Sequence, residues 1–453
     1  MRVYKARVNV PNMSIVRFGP ISSVQEAREA GSDTCPIGLD DLTDPVYRIG
    51  RQYYNAPALA QWVANPRHRT DPMTRAAITP QEIEELSAYA PAPDAEMEEE
   101  SDDESEDDDR VDTVESILED MRTDETITLY APHFNSEDMR VIFQALRGND
   151  VVEALLCIDI EMSDESIREL CGALSENTAL KRLIIVSAYM SPVATNMLAT
   201  MIRTNTHLTT FDIGANQNIG AILAAMEQNH TVTHISCADC HFGFEGAQSV
   251  ARMLRVNTTI DNISVYGNAI PIRGISRILD AVLVHHQMKG ITLANNNVGD
   301  SGALKIAFVI RNHPRLEDIS VGSTNIGPRG IIEIMNSIQG SVIFKSIDLA
   351  HNNISDDTVA HIANVLRVNR SVETISLSAN AISDAGAISI AEVIRANPII
   401  KIIDLDRNRI GPIGAAAIIS AMAENITVER VILWGNNMVG VVTTDDRIEL
   451  DSG

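Results

Sequence analysis

Cysteine and aromatic residues are scarce in this chain of 453 residues. Its five cysteines, an odd number, are Cys35, Cys157, Cys171, Cys237 and Cys240. All but Cys35 fall in the C-terminal three quarters. Such a set draws no small disulfide framework and indicates a reducing compartment. Aromatic residues make up only 4% of the chain, so the core must consist mainly of Ile, Leu, Val, Ala and Met. These scarcities favour a repetitive α/β architecture.

Positive charge and long apolar runs are also lacking. The chain has 36 Lys and Arg against 62 Asp and Glu, a net charge of −26, which argues against nucleic acid and anionic membrane as partners. No segment approaches the roughly 20 apolar residues of a membrane span, and Met1 to Val10 does not have the apolar run of a signal peptide. We therefore expect a cytoplasmic protein, with the nucleus as the alternative.

A repeat of 28 residues dominates the chain after residue 120, with one step of 24 residues between Phe211 and Ile235. Two apolar positions, two residues apart, recur in every repeat. The first position holds Ile127, Leu155, Leu183, Phe211, Ile235, Ile263, Ile291, Ile319, Ile347, Ile375, Ile403 and Val431. The second position holds Leu129, Cys157, Ile185, Ile213, Cys237, Val265, Leu293, Val321, Leu349, Leu377, Leu405 and Leu433. This spacing points both side chains to one face of a short strand.

A sharp turn and a helix are expected after each strand. Asn stands three residues after the second apolar position in seven repeats, at Asn216, Asn268, Asn296, Asn352, Asn380, Asn408 and Asn436. Cys240 and Thr324 take this position in two other repeats, and Pro132, Ile160 and Ala188 depart from it in the first three, which makes those three candidate capping repeats. Gly or another small residue then allows close packing of a helix whose apolar spacing suits a sheet-covering face.

The pattern resembles the ribonuclease-inhibitor class of leucine-rich repeats over roughly residues 120–440. The resemblance implies an α/β solenoid of about twelve repeats, whose parallel strands line a concave surface. Side chains that flank the apolar pair would form a surface for a protein substrate: Tyr266, Asp348, His351, Asp404, Asp406, Arg407 and Trp434. Trp434 is a candidate hot spot, and capping of the open end is its alternative role. The Cys237–Cys240 pair is interpreted as structural.

A different motif occupies residues 33–87. The ordered residues are Cys35-Pro36-Ile37, Leu39, Leu42, Asp44-Pro45-Val46, Gly50, Tyr53, Leu59, Trp62, Asp71-Pro72-Met73-Thr74-Arg75 and Ile78. This set resembles the U-box, the zinc-free relative of the RING domain of ubiquitin ligases. Cys35 lacks a second Cys or His ligand two to four residues away, so no metal is expected.

The U-box resemblance implies roles for four residues. Ile37, Trp62 and Pro72 would bind a ubiquitin-conjugating enzyme, and Arg75 would hold its ubiquitin thioester in reactive geometry without a covalent intermediate on this chain. The alternative is that Ile37 and Trp62 are core residues and Pro72 forms a turn. No cofactor is expected in either case.

Five segments follow from these patterns: an unassigned extension (1–32), the U-box-like domain (33–87), an acidic linker (88–113), the repeat domain (114–442) and a tail (443–453). Twelve carboxylates between Asp94 and Arg110 predict that the linker is extended and solvated. The favoured function is a ubiquitin ligase whose repeats select the substrate. The alternative is a non-enzymatic scaffold, similar to tropomodulin-like actin-capping proteins or to the activator of the Ran GTPase.

Overall fold

A computed structural model describes residues 46–49, 52–55, 113–130, 133–188 and 190–450. The chain divides into two compact units, Met1–Asp108 and Asp109–Gly453. In the first unit the described residues are β1 (Val46–Ile49) and β2 (Gln52–Asn55), which pair antiparallel. The other residues of the predicted U-box-like domain lie outside the described residues. Residues 88–112 of the predicted linker also lie outside them. The U-box therefore stays a prediction.

The second unit alternates strands and helices. Its strands are β3 (Thr126–Tyr130), β4 (Ala154–Ile158), β5 (Arg182–Val186), β6 (Thr210–Asp212), β7 (His234–Ser236), β8 (Asn262–Ser264), β9 (Gly290–Thr292), β10 (Asp318–Ser320), β11 (Ser346–Asp348), β12 (Thr374–Ser376), β13 (Ile402–Asp404), β14 (Arg430–Ile432) and β15 (Ile448–Glu449). Its helices are α1 (Val114–Asp120), α2 (Ser136–Ala145), α3 (Asp164–Leu174), α4 (Pro192–Thr204), α5 (Gly220–Met226), α6 (Gly243–Val256), α7 (Ile272–Val284), α8 (Gly299–Asn312), α9 (Pro328–Ile338), α10 (Asp356–Val368), α11 (Asp384–Ala396) and α12 (Pro412–Glu424).

Strands β3 to β15 form one sheet in which every strand lies beside its sequence neighbour, and all the pairs are parallel. Equivalent positions of successive repeats face each other, as in the pairing of Ile291 with Ile319 and of Ile319 with Ile347. The predicted parallel solenoid is thereby confirmed. The 24-residue step keeps this register, because Phe211 pairs with Ile235. Its helix α5 has seven residues, whereas α4 has 13 and α6 has 14, so the deletion shortens the helix.

Both apolar positions of each strand are buried against the helices, in one continuous core that runs from Ile117 to Ile448. Close helix packing explains the glycine in the first turn of several helices. At Gly386 an added Cβ would lie 2.6 Å from Asp356 Oδ1 and 2.6 Å from Ile382 Cγ2. Asp356 Oδ1 accepts hydrogen bonds from the backbone N–H groups of Ser383 and Gly386, so a side chain of one repeat caps the helix of the next.

A ladder of asparagines connects the carboxyl ends of neighbouring strands by hydrogen bonds. These asparagines stand at the turn position that the sequence indicated. Asn380 Nδ2 donates to the carbonyls of Leu377 and, in the preceding repeat, Leu349. Its Oδ1 accepts the N–H groups of Asn352 and Ile354 at 3.0 and 2.9 Å. The preceding residue is in the left-handed region in repeat after repeat, for example Ala379 with φ 50°.

A second ladder, which the sequence analysis did not anticipate, ties the carboxyl ends of the helices together. Its asparagines are Asn149, Asn177, Asn205, Asn229, Asn257, Asn369, Asn397 and Asn425. Each donates to a carbonyl at the end of the preceding helix. Buried histidines take this position in two repeats. His285 places Nδ1 2.7 Å from Leu254 O and Nε2 2.6 Å from Ile260 O, and His313 Nε2 lies 3.1 Å from His285 O.

Arg447 ends the second ladder. A further repeat would place its asparagine at residue 453, facing the carbonyls of Met422 and Asn425. Arg447 Nη2 and Nη1 donate to these two carbonyls at 2.8 Å each, and Asp445 holds the guanidinium at 2.6 Å. Strand β15 pairs with β14, so the sheet extends past the predicted domain boundary at residue 442.

Candidate protein-binding face

The face of the sheet opposite the helices, here called the open face, corresponds to the surface predicted to be concave. Three positions of each repeat line it: the entry position before the first buried apolar residue, the central position between the two buried residues, and the exit position after the second. Central residues from β6 onward are mostly Ser, Thr and Asp, and they are only partly exposed. The open face is therefore polar over most of its length.

Carboxylates at three central positions are held in fixed orientations. Asp348 Oδ1 accepts the N–H of Ala350 at 2.9 Å, and its Oδ2 accepts the hydroxyl of Ser320 at 2.6 Å. Asp404 makes the equivalent bonds with the N–H of Asp406 at 3.0 Å and the hydroxyl of Ser376 at 2.9 Å. Asp212 makes similar bonds with the N–H of Gly214 and with Ser236, which here lies on the following strand. Each oxygen keeps a lone pair for a further donor, so the carboxylates are preorganised for a cationic group.

Two carboxyl groups of this face have raised pKa values. Burial is the main cause for Asp212, and hydrogen bonds from Gly214 and Ser236 oppose it. Burial also raises the pKa of Asp318, at the entry position of β10, and the neighbouring Glu317 adds to the effect. A raised pKa means that the charged form lacks compensation. A cation from a partner would supply it.

A groove of about 570 Å³ crosses the middle of the open face from β5 to β11. Arg182, His234, Asp318 and Asp348 are among the residues that line it. Gly290 lies at the entry position of β9, where an added Cβ would come 2.2 Å from Asn262 Oδ1. The absence of a side chain at Gly290 leaves room for Asn262 and keeps the floor of the groove low.

The first three strands form a different surface on the same face. At the central and exit positions of β4 and β5 stand Leu156, Ile158, Ile184 and Val186, all partly exposed. Leu156 pairs with Ile184 and Ile158 pairs with Val186, which makes a two-by-two aliphatic block. Tyr130, 47% exposed, extends it on β3. Asp212 on β6 is the register neighbour of Ile184, so the block borders directly on the acidic part of the face.

From Asp261 to Glu429, one edge of the open face carries alternating charges, two residues before the first apolar position of each repeat. Lys289 Nζ lies 2.8 Å from Asp261, Lys345 Nζ 2.5 Å from Glu317, and Lys401 Nζ 2.6 Å from Glu373. The hydrogen bond from Lys401 lowers the pKa of Glu373, and Glu317 raises the pKa of Lys345. These exposed pairs neutralise one another, and such pairs contribute little to stability. The uncompensated charge of the open face therefore comes from its entry, central and exit positions.

The seven predicted substrate-binding residues do not form one cluster. Asp348 and Asp404 are central residues of β11 and β13, whereas Tyr266, Asp406 and Trp434 stand at exit positions. His351 and Arg407 follow the exit position with φ 55° and 49°.

The structure brings four of these residues together at the C-terminal end. Arg407 Nε lies 3.5 Å from Asp406 Oδ2, the N–H of Arg407 donates to Trp434 O at 2.7 Å, and Asp404 lies on the same strand end. Tyr266 and Trp434 are 39% and 46% exposed, which suits contact residues. Asp212, Asp318 and the aliphatic block are not among the predicted residues, although their central, entry and exit positions in the repeat mark them in the sequence.

The cysteines of the repeats show no sign of reactivity. Burial raises the pKa of Cys157 and Cys171 to about 12 and that of Cys240 to about 11. It also raises the pKa of Cys237, together with the charges of Cys240 and Asp212. Cys240 Sγ lies 3.4 Å from Ile213 O, in the asparagine position of the turn. Raised pKa values disfavour the thiolate, which fits a structural role for the pair.

Within the described ranges, no group of three or more His, Cys, Asp and Glu side chains could hold a metal ion. No helix in the part of the chain that the structure describes is long and apolar enough to cross a membrane.

Comparison with known proteins supports the repeat assignment. A family model described as Leucine Rich repeat matches residues 368–391. Among solved structures, the leucine-rich-repeat protein LegL7 from Legionella pneumophila is similar at 13% identity and a TM-score of 0.39, over 54% of this chain and 80% of that one. The family-model match lies over β12 and the start of α11, and this strand-and-helix unit recurs along residues 114–450, which supports a leucine-rich-repeat domain.

Two further structures share smaller parts of the fold. The actin-binding site 2 of leiomodin-1 has 17% identity and a TM-score of 0.27, over 30% of this chain and 79% of that one. The C-terminal domain of a Caenorhabditis elegans tropomodulin has 12% identity and a TM-score of 0.29, over 32% of this chain and 90% of that one.

Proposed function

We propose that this protein is a binding scaffold that holds a protein partner on the open face of its leucine-rich repeats. The observation that carries the proposal is the set of preorganised carboxylates at Asp212, Asp348 and Asp404, on the same face as a partly exposed aliphatic block that borders Asp212. Aligned, unneutralised carboxylates and exposed aliphatic side chains cost free energy in isolation. A partner that covers both would offset that cost.

Blocking the middle of the face tests the scaffold function. Thr292 and Ser264 are central residues of β9 and β8, so Thr292→Arg with Ser264→Arg fills the groove without touching the core. Partners that the full-length protein captures should be lost in this double variant. They should be retained by Ile388→Arg, because Ile388 is 43% exposed on helix α11, away from the open face. Retention of every partner by the groove variant would contradict the proposal. Actin and the Ran GTPase are the first named candidates, since the repeats resemble those of proteins that act on them.

A second candidate function is ubiquitin transfer, supported by the ordered U-box-like residues between Cys35 and Ile78. In this proposal Ile37, Trp62 and Pro72 bind a ubiquitin-conjugating enzyme, Arg75 orients the thioester, and the repeats supply the substrate. An in vitro reaction with a panel of conjugating enzymes tests it. Wild-type protein should form ubiquitin chains that Ile37→Ala, still folded by circular dichroism, does not form. If no enzyme of the panel forms ubiquitin chains with the wild-type protein, the ubiquitin-transfer proposal is wrong and only the scaffold function remains.

A further inference from the structure

The entry, central and exit positions of β3 to β14 carry an unbalanced charge. Their acidic residues are Asp212, Asp318, Asp348, Asp404 and Asp406, and their basic residues are Arg182 and Arg430. Asp406 and Arg430 have partners of opposite charge, Arg407 and Glu449. The other four acidic residues stand against Arg182, which leaves −3 with His234 neutral. Asp212, Asp318 and Asp348 face the groove of about 570 Å³. A ligand that fills this groove must therefore present cationic groups.

The aliphatic block lies at one end of this acidic tract. Leu156, Ile158, Ile184 and Val186 occupy neighbouring strands, and the next central residue along the sheet is Asp212. Strands in a sheet are about 4.8 Å apart. The distance from β4 to β11 is seven such steps, or roughly 34 Å. One partner segment would thus meet an aliphatic surface first and carboxylates afterwards.

The sheet also restricts the backbone of that segment. Each of β4 to β13 is paired on both edges, so its N–H and C=O groups are already used. An extended chain on this face would leave its own backbone groups without partners. A helix satisfies its backbone internally, and about 22 residues at 1.5 Å each span the same 34 Å.

Resting on the scaffold function proposed above, we propose that the open face binds an amphipathic α-helix of another protein, with aliphatic side chains at one end and Lys or Arg at the other. The aliphatic end covers the block on β4 and β5, and the basic end contacts Asp212, Asp318 and Asp348. The chain's own carboxylate run, Asp94 to Asp109, has the wrong sign for this face. Charge complementarity therefore points to a different chain.

Three designed peptides of about 22 residues test the proposal on the full-length protein by fluorescence anisotropy. The first has an aliphatic half and a Lys/Arg half on one helical face. The second replaces Lys and Arg by Glu, and the third scrambles the first so that the two halves are mixed. The first should bind at least about tenfold more tightly than either of the others, and its affinity should fall with added salt. Equal affinities, or no binding of the first peptide, would overturn the proposal.

Matched variants locate the two contacts. Ile158→Asp should weaken the first peptide about tenfold or more, because it places a charge in the aliphatic contact. Asp348→Asn keeps the shape and the hydrogen bond from Ala350 but removes the charge; it should weaken binding severalfold and reduce the salt dependence. Ile388→Asp on helix α11 is the control and should bind like wild type.

The remaining outcomes separate this inference from the scaffold function. One outcome is that a partner is lost by the double variant Thr292→Arg with Ser264→Arg but kept by both Ile158→Asp and Asp348→Asn. This result would overturn the helix proposal and leave the scaffold function intact. Sedimentation of the protein alone as a dimer that Ile158→Asp dissociates would also overturn it, because a second copy would then be the occupant of the block.

Discussion

Substitution of Asn380 by alanine should destabilise the repeat domain more than its single lost side chain suggests. Asn380 is 9% exposed and joins two repeats. Its Oδ1 is the acceptor for the buried N–H groups of Asn352 and Ile354. Its Nδ2 donates to carbonyls of its own repeat and of the preceding one. Alanine would leave at least the two N–H groups without a partner.

The magnitude follows from these two groups. A buried donor that loses its acceptor costs about 1–3 kcal/mol, so Asn380→Ala should lower the free energy of unfolding by about 2–6 kcal/mol. Asn297→Ala is the control. Asn297 is exposed in the turn after β9, and surface changes of this kind are usually within about 0.5 kcal/mol.

Urea unfolding followed by circular dichroism measures the free energy, and amide hydrogen exchange locates the effect. Solenoids can unfold repeat by repeat, so the exchange experiment is the sharper of the two. The N–H groups of Asn352 and Ile354 should lose protection in Asn380→Ala, while amides several repeats away keep theirs. Unchanged protection at these two amides, or equal urea midpoints for Asn380→Ala and Asn297→Ala, would refute the reasoning.

Three other predictions concern stability. Burial lowers the pKa of His313, so the unfolded chain binds a proton that the folded chain does not. The free energy of unfolding should therefore fall as the pH drops below about 6.5. Urea midpoints at several pH values should show less of this loss in His313→Asn than in the exposed control His207→Asn. Gly386→Ala should cost about 1–3 kcal/mol through overpacking, whereas Gly148→Ala, which meets nothing within 4 Å, should be neutral or stabilising by melting temperature. Arg447→Met should expose the carbonyls at the end of α12 and speed hydrogen exchange in β14 before that of β11, and simultaneous exchange of both strands would contradict this.

Much of the repeat domain could be predicted from the sequence because its signal is repeated. Every strand from β3 to β14 contains its first predicted apolar position, and the second lies within the strand or directly after it. The asparagine of the turn makes the bonds that its position indicated. Asn177, Asn257 and Asn397 recur at the same spacing, so the second ladder was also visible as a pattern. The function of this second ladder could not be predicted, because an Asn at a helix end is common and its acceptor lies 31 residues earlier, on another helix.

The candidate binding face was harder to predict because its residues were selected by type. Asp348 and Asp404 stood out as charged, whereas Ile158 and Val186 looked like ordinary core residues of a strand. Only the sheet shows that these two side chains face away from the helices. Arg447 could not be predicted, since it replaces a ladder residue from a segment that does not follow the repeat.

The direction of the two asparagine ladders has a consequence for how the protein is made. In both ladders the asparagine of one repeat supplies hydrogen bonds to the repeat before it, so each unit is completed by its successor. A ribosome delivers the units in that same order. We therefore expect that, during synthesis, each added unit closes the open backbone groups of the unit before it. Arg447 completes α12 in the same way, from the segment that follows the last repeat.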